Sequence, residues 1–320
     1  MPQKVLFDTD PGVDDAAALL FLHRAAALDL VGITTVFGNA DIATCTRNAL
    51  FLKALFGIEA PVAEGAGRDL RGRAGPVPVH VHGENGLGDA PLSGIDLPRS
   101  DPRPAHQLIA ETLRAHPGEV RVIAVGRLTN LALALDADPG LVELARDIVL
   151  MGGAFAGGNG NVTPAAEANM IGDPDAADIV FGAPWKVTAV GLDVTRNILL
   201  PRRVLADWAD SGDPGLEFLA AAKRHYVAYH DRFGVDGCYV HDPAAVAYAL
   251  DPGLFEITEG PVRVIRDGIA MGQTIQADPA IPYPPGSAWE GRPVQNVARQ
   301  ANASAILDLF EETIAVSAEV

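Results

Sequence analysis

Four aspartates fall close together near the start of the chain: Asp8, Asp10, Asp14 and Asp15, in the stretch VLFDTDPGVDD over residues 5–15. Carboxylates held this close repel one another unless something positive sits among them. An all-oxygen set suits a hard cation such as calcium or magnesium better than zinc. The flanking residues say how the acids are placed. Val5, Leu6 and Phe7 make a short apolar run typical of a buried parallel strand, Pro11-Gly12 turns the chain, and Ala16–Leu22 reads as a helix. The acids therefore lie at the carboxyl end of a strand, where open α/β sheets bind their ligands. A plainer reading covers part of this. Asp14 and Asp15 could simply offset the helix dipole, and Asp8 or Asp10 could be turn formers. That accounts for two acids, not four crowded around one turn.

Other polar residues recur at equivalent places. The run Leu30–Phe37 reads as a second strand ending in Gly38-Asn39, with Asp41 capping a helix through about Phe56. Asn39 falls near the aspartates if the two strands are neighbours, although a turn-forming Asn is an equal local explanation. Between Pro61 and Pro104 periodicity lapses, yet HGENGLG at 82–88 is too particular for a linker. His80 and His82 alternate as on an extended segment, but zinc would need a third nitrogen or sulfur ligand nearby. Residues 158–178 carry Asn159, Asn161, Glu167 and Asn169 on a segment of little period. Amides and a carboxylate on such a loop suit a polyhydroxylated ligand. His241-Asp242-Pro243 opens a helix through Leu250, and Asp242 as N-cap with proline behind it is a sufficient structural reading. Asp242 is also a fifth candidate acidic ligand, with His241 beside it.

The remaining elements must hold these groups together. A helix is expected near Ala105–Ala115, strands at Val120–Val125, Ile148–Met151 and Val187–Val190, and helices at Leu131–Leu135 and Asp173–Phe181. Residues 201–233 read as helical and carry Tyr226, Tyr229, His230 and Arg232. Val262–Ile265, Gln273–Gln276 and a helix at Ser304–Val316 close the chain. Strand–helix alternation with no compositional break argues one α/β domain over 1–320, an open, mostly parallel, Rossmann-like sheet with helices on both faces.

The 320 residues, 48% hydrophobic, suffice for a substantial core. A formal net charge of -17 argues against nucleic acid or an anionic membrane as partner and is compatible with gathering a divalent metal. The 2 cysteines, Cys45 and Cys238, read as small buried hydrophobes. With no leader and no membrane-spanning run visible, the expectation is a cytoplasmic soluble protein.

Taken in order, the motifs resemble the nucleoside hydrolases of the inosine-uridine-preferring type. The matching pieces are DTDPGVDD at 8–15, FGN at 37–39, HGENGLG at 82–88, GRLTN at 126–130, GNVTPAAEAN at 160–169 and VHDPAAVAYALDP at 240–252. The first is highly specific; the others are weak alone. The resemblance implies a calcium-dependent N-ribosyl hydrolase acting on small-molecule ribonucleosides, with homodimer or homotetramer assembly expected. By that analogy Asp10, Asp15, Asp242 and the main-chain carbonyl of Val125 ligate Ca2+, and Asp10 is the general base toward the calcium-bound water. Asp14 and Asn39 would hold the ribose 2′-hydroxyl, Asn169 the 3′-hydroxyl, and Asn161 with Glu167 the 5′-hydroxyl. His241 is the candidate acid for the leaving base, His82 and Tyr229 line the base pocket, and Asp8 orients other groups. Two positions depart from the family pattern: Ala168 where an aromatic residue is common, and Arg127 where proline is frequent.

Two other functions fit parts of the pattern. A haloacid dehalogenase-type phosphatase would use Asp8-Thr9-Asp10 with Asp8 as nucleophile, but leaves Asp14, Asp15 and the 158–178 loop without a task. A non-catalytic nucleoside- or sugar-binding protein would keep the pocket without needing Asp10 and His241. An EF-hand loop has the wrong carboxylate and glycine spacing.

Overall fold

A computed structural model describes residues 1–316. The first half runs β1 (Gln3–Thr9), α1 (Val13–Arg24), β2 (Leu28–Thr35), α2 (Ile42–Phe56), β3 (Val62–Ala63), α3 (Val79–His82), α4 (Ala105–Ala115), β4 (Arg121–Ala124), α5 (Thr129–Ala137) and β5 (Asp147–Met151). Next come α6 (Ala168–Gly172), α7 (Pro174–Gly182), β6 (Val187–Val190), α8 (Leu192–Thr195), β7 (Leu199–Leu200), α9 (Arg202–Ala209) and α10 (Pro214–Asp231). The last part holds β8 (Cys238–Tyr239), α11 (Asp242–Leu250), β9 (Phe255–Val264), β10 (Thr274–Gln276), β11 (Val294–Ala301) and α12 (Ala303–Ile314).

Nine strands form one sheet in the order β10-β9-β11-β6-β5-β4-β1-β2-β3. The stretch from β3 to β6 is parallel and β11 joins it in parallel beside β6, while β9 and β10 are antiparallel additions at the edge. The strand order reverses between β1 and β4, which makes the gap beyond their carboxyl ends the topological switch point. Asp10 follows the first of these strands and Val125 the second. The acidic loop thus lies at the crevice where such a sheet receives a ligand.

Both faces of the sheet are covered, so its central strands are apolar on both sides. Val5 and Phe7 of β1 point into one core with Ile123, Val149, α1 and α11; Leu6 points into the other with Val122, Ile148, α4 and α7. This is the alternation of a strand, one residue up and the next down. Helix α1 is buried from Val13 to Leu22, on every side, as a helix apolar all round must be. Both cysteines are buried and unpaired. Among the described residues, no helix is long and apolar enough to cross a membrane.

Several local expectations need correction. His80 and His82 lie on the short helix α3, between Pro78 and a Gly83 at φ 74°, and not on an extended segment. The 158–178 segment contains α6, whose N-cap is Glu167. Asp242 is the first residue inside α11; His241 is the N-cap and makes no side-chain capping bond. The carboxylate of Asp242 is therefore not spent on capping. Of the closing segment Val262–Ile265, residues through Val264 are the end of the longer strand β9, and β11 is an element that the sequence reading does not contain.

Candidate active site

The acidic loop folds onto itself through backbone and amide donors. Asp15 Oδ1 accepts from Thr9 Oγ1 at 2.6 Å, and its Oδ2 accepts from Gly12 N–H at 3.0 Å and Asn39 Nδ2 at 2.9 Å. Asp10 Oδ2 accepts from Asn39 N–H at 2.9 Å. Asn39 therefore touches two of the aspartates, as the pairing of β1 with β2 requires. The approach is close enough to dictate glycine. A Cβ on Gly12 would stand 2.6 Å from His82 Nδ1, and one on Gly38 would overlap Asp10 Oδ2.

Burial and then the charge of Asp15 push Asp10 well above the ordinary carboxylate range. Asp242 is raised in the same way, by burial and then by Asp15, Asp14 and Asp10. Adjoining acids in a dry site cannot all ionise by themselves; they share protons or take up a cation. Asp10 Oδ1 is buried with no hydrogen-bond partner, a free oxygen where a ligand atom would be needed. Among the described residues, no three Asp, Glu, His or Cys side chains already form a closed cage. The candidate donors, Asp10, Asp15, Asp242 and the Val125 carbonyl, are all oxygen, a chemistry that fits a hard cation.

Asp14 behaves differently. Burial works against its charge, but the ammonium of Lys223, 3.0 Å from Oδ1, and the N–H groups of His241 and Asp242 at 2.6 and 2.8 Å on Oδ2 hold it below the ordinary value. It ties α1 to α10 and to the start of α11. Asp8 is fully buried, with Oδ1 accepting from Thr34 Oγ1 at 2.6 Å and Asn130 Nδ2 at 2.7 Å. Burial raises its pKa to about 7. A side chain so enclosed cannot serve as the nucleophile that a phosphatase would need.

On the other side of the crevice, Asn169 Nδ2 donates to the Val125 carbonyl at 2.7 Å and to the Met151 carbonyl at 3.1 Å. Glu167 accepts from the N–H groups of Asn169, Gly153 and Met170 at 2.9, 3.0 and 3.2 Å, so its carboxylate shapes the loop as it caps α6. Asn161 is exposed and accepts from Ala168 N–H at 3.0 Å. Ala168, the small residue of the two departures, opens α6 half-buried.

Aromatic rings wall the crevice. His82 stacks on Tyr226 with centroids 6.1 Å apart, Tyr226 meets His230 at 4.4 Å, and His230 meets Tyr239 at 5.1 Å, with His241 5.8 Å beyond. Tyr229 branches from this line, 5.8 Å from His80 and 5.4 Å from His230. Burial drives His82 down to about 3 and His241 to about 4, so both rings are neutral near pH 7. The HGENGLG turn is anchored here as well: Asn48 Nδ2 donates to the carbonyls of Pro11 and Asn85, each at 3.0 Å.

One residue escaped the sequence reading. Lys223 is fully buried, and its position was legible: Leu216, Leu219, Ala220, Tyr226, Val227 and His230 mark the inward stripe of α10, and Lys223 falls on it. Arg127, noted above as a departure, has a visible role in the structure. Its guanidinium lies 4.1 Å over the Phe37 ring and donates to the Ala74 carbonyl at 3.3 Å, pinning the loop before α3 against the acidic site.

Known proteins share the sequence and the fold of this chain. The family model for inosine-uridine preferring nucleoside hydrolase matches residues 5–308. The chain is 37% identical over 318 residues to the probable uridine nucleosidase 2 of Arabidopsis thaliana, covering 98% of this chain and 97% of that one. It is 36% identical over 279 residues to the inosine-uridine preferring nucleoside hydrolase of Crithidia fasciculata, covering 86% and 88%. The solved plant nucleoside hydrolase PpNRh1 superposes with a TM-score of 0.94 at 36% identity, over 99% of this chain and 100% of that one.

Proposed function

Since this chain belongs to the inosine-uridine preferring nucleoside hydrolase family and hydrolyses ribonucleosides, we propose that it does so with Ca2+ at the acidic loop, Asp10 as general base and His241 as the group that presents an N–H to the leaving base. Asp10, Asp15, Asp242 and the Val125 carbonyl would hold the ion. When bound, such an ion supplies a Lewis acid that makes water easier to deprotonate and anchors a sugar diol.

The chain's own residues supply the rest. Asp10 takes the proton of the attacking water on its free oxygen. As the N-glycosidic bond lengthens, positive charge builds on the sugar, and the surrounding carboxylates stabilise it electrostatically. Asp14 and Asn39 hold the 2′-hydroxyl, Asn169 the 3′-hydroxyl, and Asn161 with Glu167 the 5′-hydroxyl. With its Nδ2 committed to the Val125 and Met151 carbonyls, Asn169 offers its Oδ1 to the sugar, and these contacts together fix the ring for attack. His82 and Tyr229 flank the base, and His241 meets the nitrogen that gains the electron pair.

The observation that carries this reading is the unpartnered, buried Oδ1 of Asp10 among adjoining acids at the switch point of the sheet. Reducing-sugar release from inosine and uridine tests it. Turnover is expected to stop on chelation and return with calcium. Asp10→Ala should lower kcat by about 10³-fold or more with the circular dichroism spectrum unchanged. Undiminished turnover in chelator, or near-normal turnover by that variant, would contradict it.

A further inference from the structure

Helix α8 is a single turn at the carboxyl end of β6, yet it reaches both sides of the crevice. The Asp193 carboxylate accepts from Phe155 and Ala156 N–H at 2.8 and 2.7 Å, where the sugar-side loop begins. Just past the turn, Arg196 donates to the carbonyls of Asn159 and Gly160 at 2.9 and 3.0 Å, further along that loop. Between these two anchors Thr195, fully buried, places Oγ1 2.7 Å from Nδ1 of His241.

The direction of that last bond can be settled by counting donors. Thr195 has one hydroxyl proton, and among the described residues Oγ1 has no partner except His241 Nδ1. A proton turned elsewhere would be a buried donor without an acceptor, at a cost of about 1–3 kcal/mol. The hydroxyl therefore donates to Nδ1, and the neutral ring carries its own proton on Nε2. Nε2 has no protein partner among the described residues and is not sealed from solvent. His82 shows the same arrangement with no ambiguity: its Nδ1 faces the backbone N–H of Val13 at 3.3 Å, and an amide N–H can only donate. His230 is the opposite case, since its Nδ1 lies 2.8 Å from the Tyr226 carbonyl, which can only accept.

We propose that Thr195 is a positioning residue for the hydrolysis: its buried hydroxyl holds His241 in the Nε2–H tautomer and fixes the ring plane, so the leaving base meets an N–H donor. This rests on the reading of His241 as the group that faces the leaving base. No proton has to leave the neutral ring. The C1′–N bond breaks with its electron pair going to the base nitrogen, the Nε2–H hydrogen bond stabilises that charge, and the base takes its proton from water. The hydroxyl from the attacking water goes to C1′ and its proton to Asp10, which releases it to solvent and so balances the hydroxide left by the water that protonated the base. Asp193 and Arg196 make the same turn brace the sugar-side loop, so sugar and base contacts share one support.

Long-range 1H–15N spectra of the imidazole rings, with His241 assigned by its absence in His241→Ala, test the tautomer directly. The unsubstituted enzyme should show Nε2–H at His241, and Thr195→Val should shift the ring toward Nδ1–H. In kinetics, Thr195→Val is expected to lower kcat on inosine and uridine by roughly tenfold or more while a nitrophenyl riboside, whose leaving group needs no donor, stays within about twofold. Thr195→Ser, which restores the hydroxyl, should recover most of the loss. An Nδ1–H tautomer in the unsubstituted enzyme, an unchanged tautomer in Thr195→Val, or equal losses on both kinds of substrate would overturn the proposal. His241→Ala separates the two claims. If it loses both substrates equally, the reading of His241 fails; if it is selective and Thr195→Val is not, only Thr195 is misassigned.

Discussion

At the scale of single residues, the site asks buried groups to hold unusual protonation states, and this can be measured. Burial sets His82 at about 3 against an ordinary 6.5. A folded pKa below the unfolded one means the unfolded chain takes the proton first. The stabilising contribution is therefore complete above pH 6.5 and is lost as pH falls toward 3. Between pH 7 and pH 5 the loss amounts to about 2 kcal/mol. Urea unfolding of the unsubstituted protein and of His82→Gln should show their stability gap narrowing by that amount; a constant gap would mean that His82 takes up its proton over the same pH range folded as unfolded. Residue identity was the most legible level of the sequence. Four acids at one turn cannot be indifferent to one another, and Asn39 does fall against Asp10 and Asp15. The shape of the segment around His80 and His82 was not legible, because four residues are too few to show a helical period.

At the scale of elements, α1, α10 and α11 meet at one ion pair. Lys223 and Asp14 are both buried, and the two main-chain donors at the start of α11 converge on the same carboxylate. Removing one partner of a buried pair leaves the other charge uncompensated, so Lys223→Met is expected to destabilise the fold by about 3–5 kcal/mol. The double variant Lys223→Met/Asp14→Asn should recover part of that, and denaturant midpoints for the three proteins check it. A Lys223→Met protein as stable as the unsubstituted one would show the pair to be dispensable. Periodicity located the long helices and the central strands. It failed at β11, and the reason is chemical. Gln295 is buried where a strand pattern calls for an apolar side chain, and it is satisfied by Val187 N–H at 2.8 Å and the Phe181 carbonyl at 3.1 Å. Hydrogen bonding from the neighbouring connection substitutes for hydrophobicity, and no local pattern reports that.

At the scale of the whole molecule, the strand order β3-β2-β1-β4-β5-β6 is what turns a run of acids into a site. It brings the ends of β1 and β4 together, with Asn169 spanning from Val125 to Met151 and α11 closing over Asp14. The sequence showed that strands and helices alternate; which strands are neighbours depends on contacts across the chain that no local pattern reports. A net charge of -17 concentrated partly in this crevice favours a cation there. The most direct test of the account is a calorimetric titration of calcium into chelator-stripped protein, alongside Asp15→Ala. One ion per chain is expected to bind to the unsubstituted protein and none to the variant. No binding at millimolar calcium, or equal binding by both proteins, would contradict it.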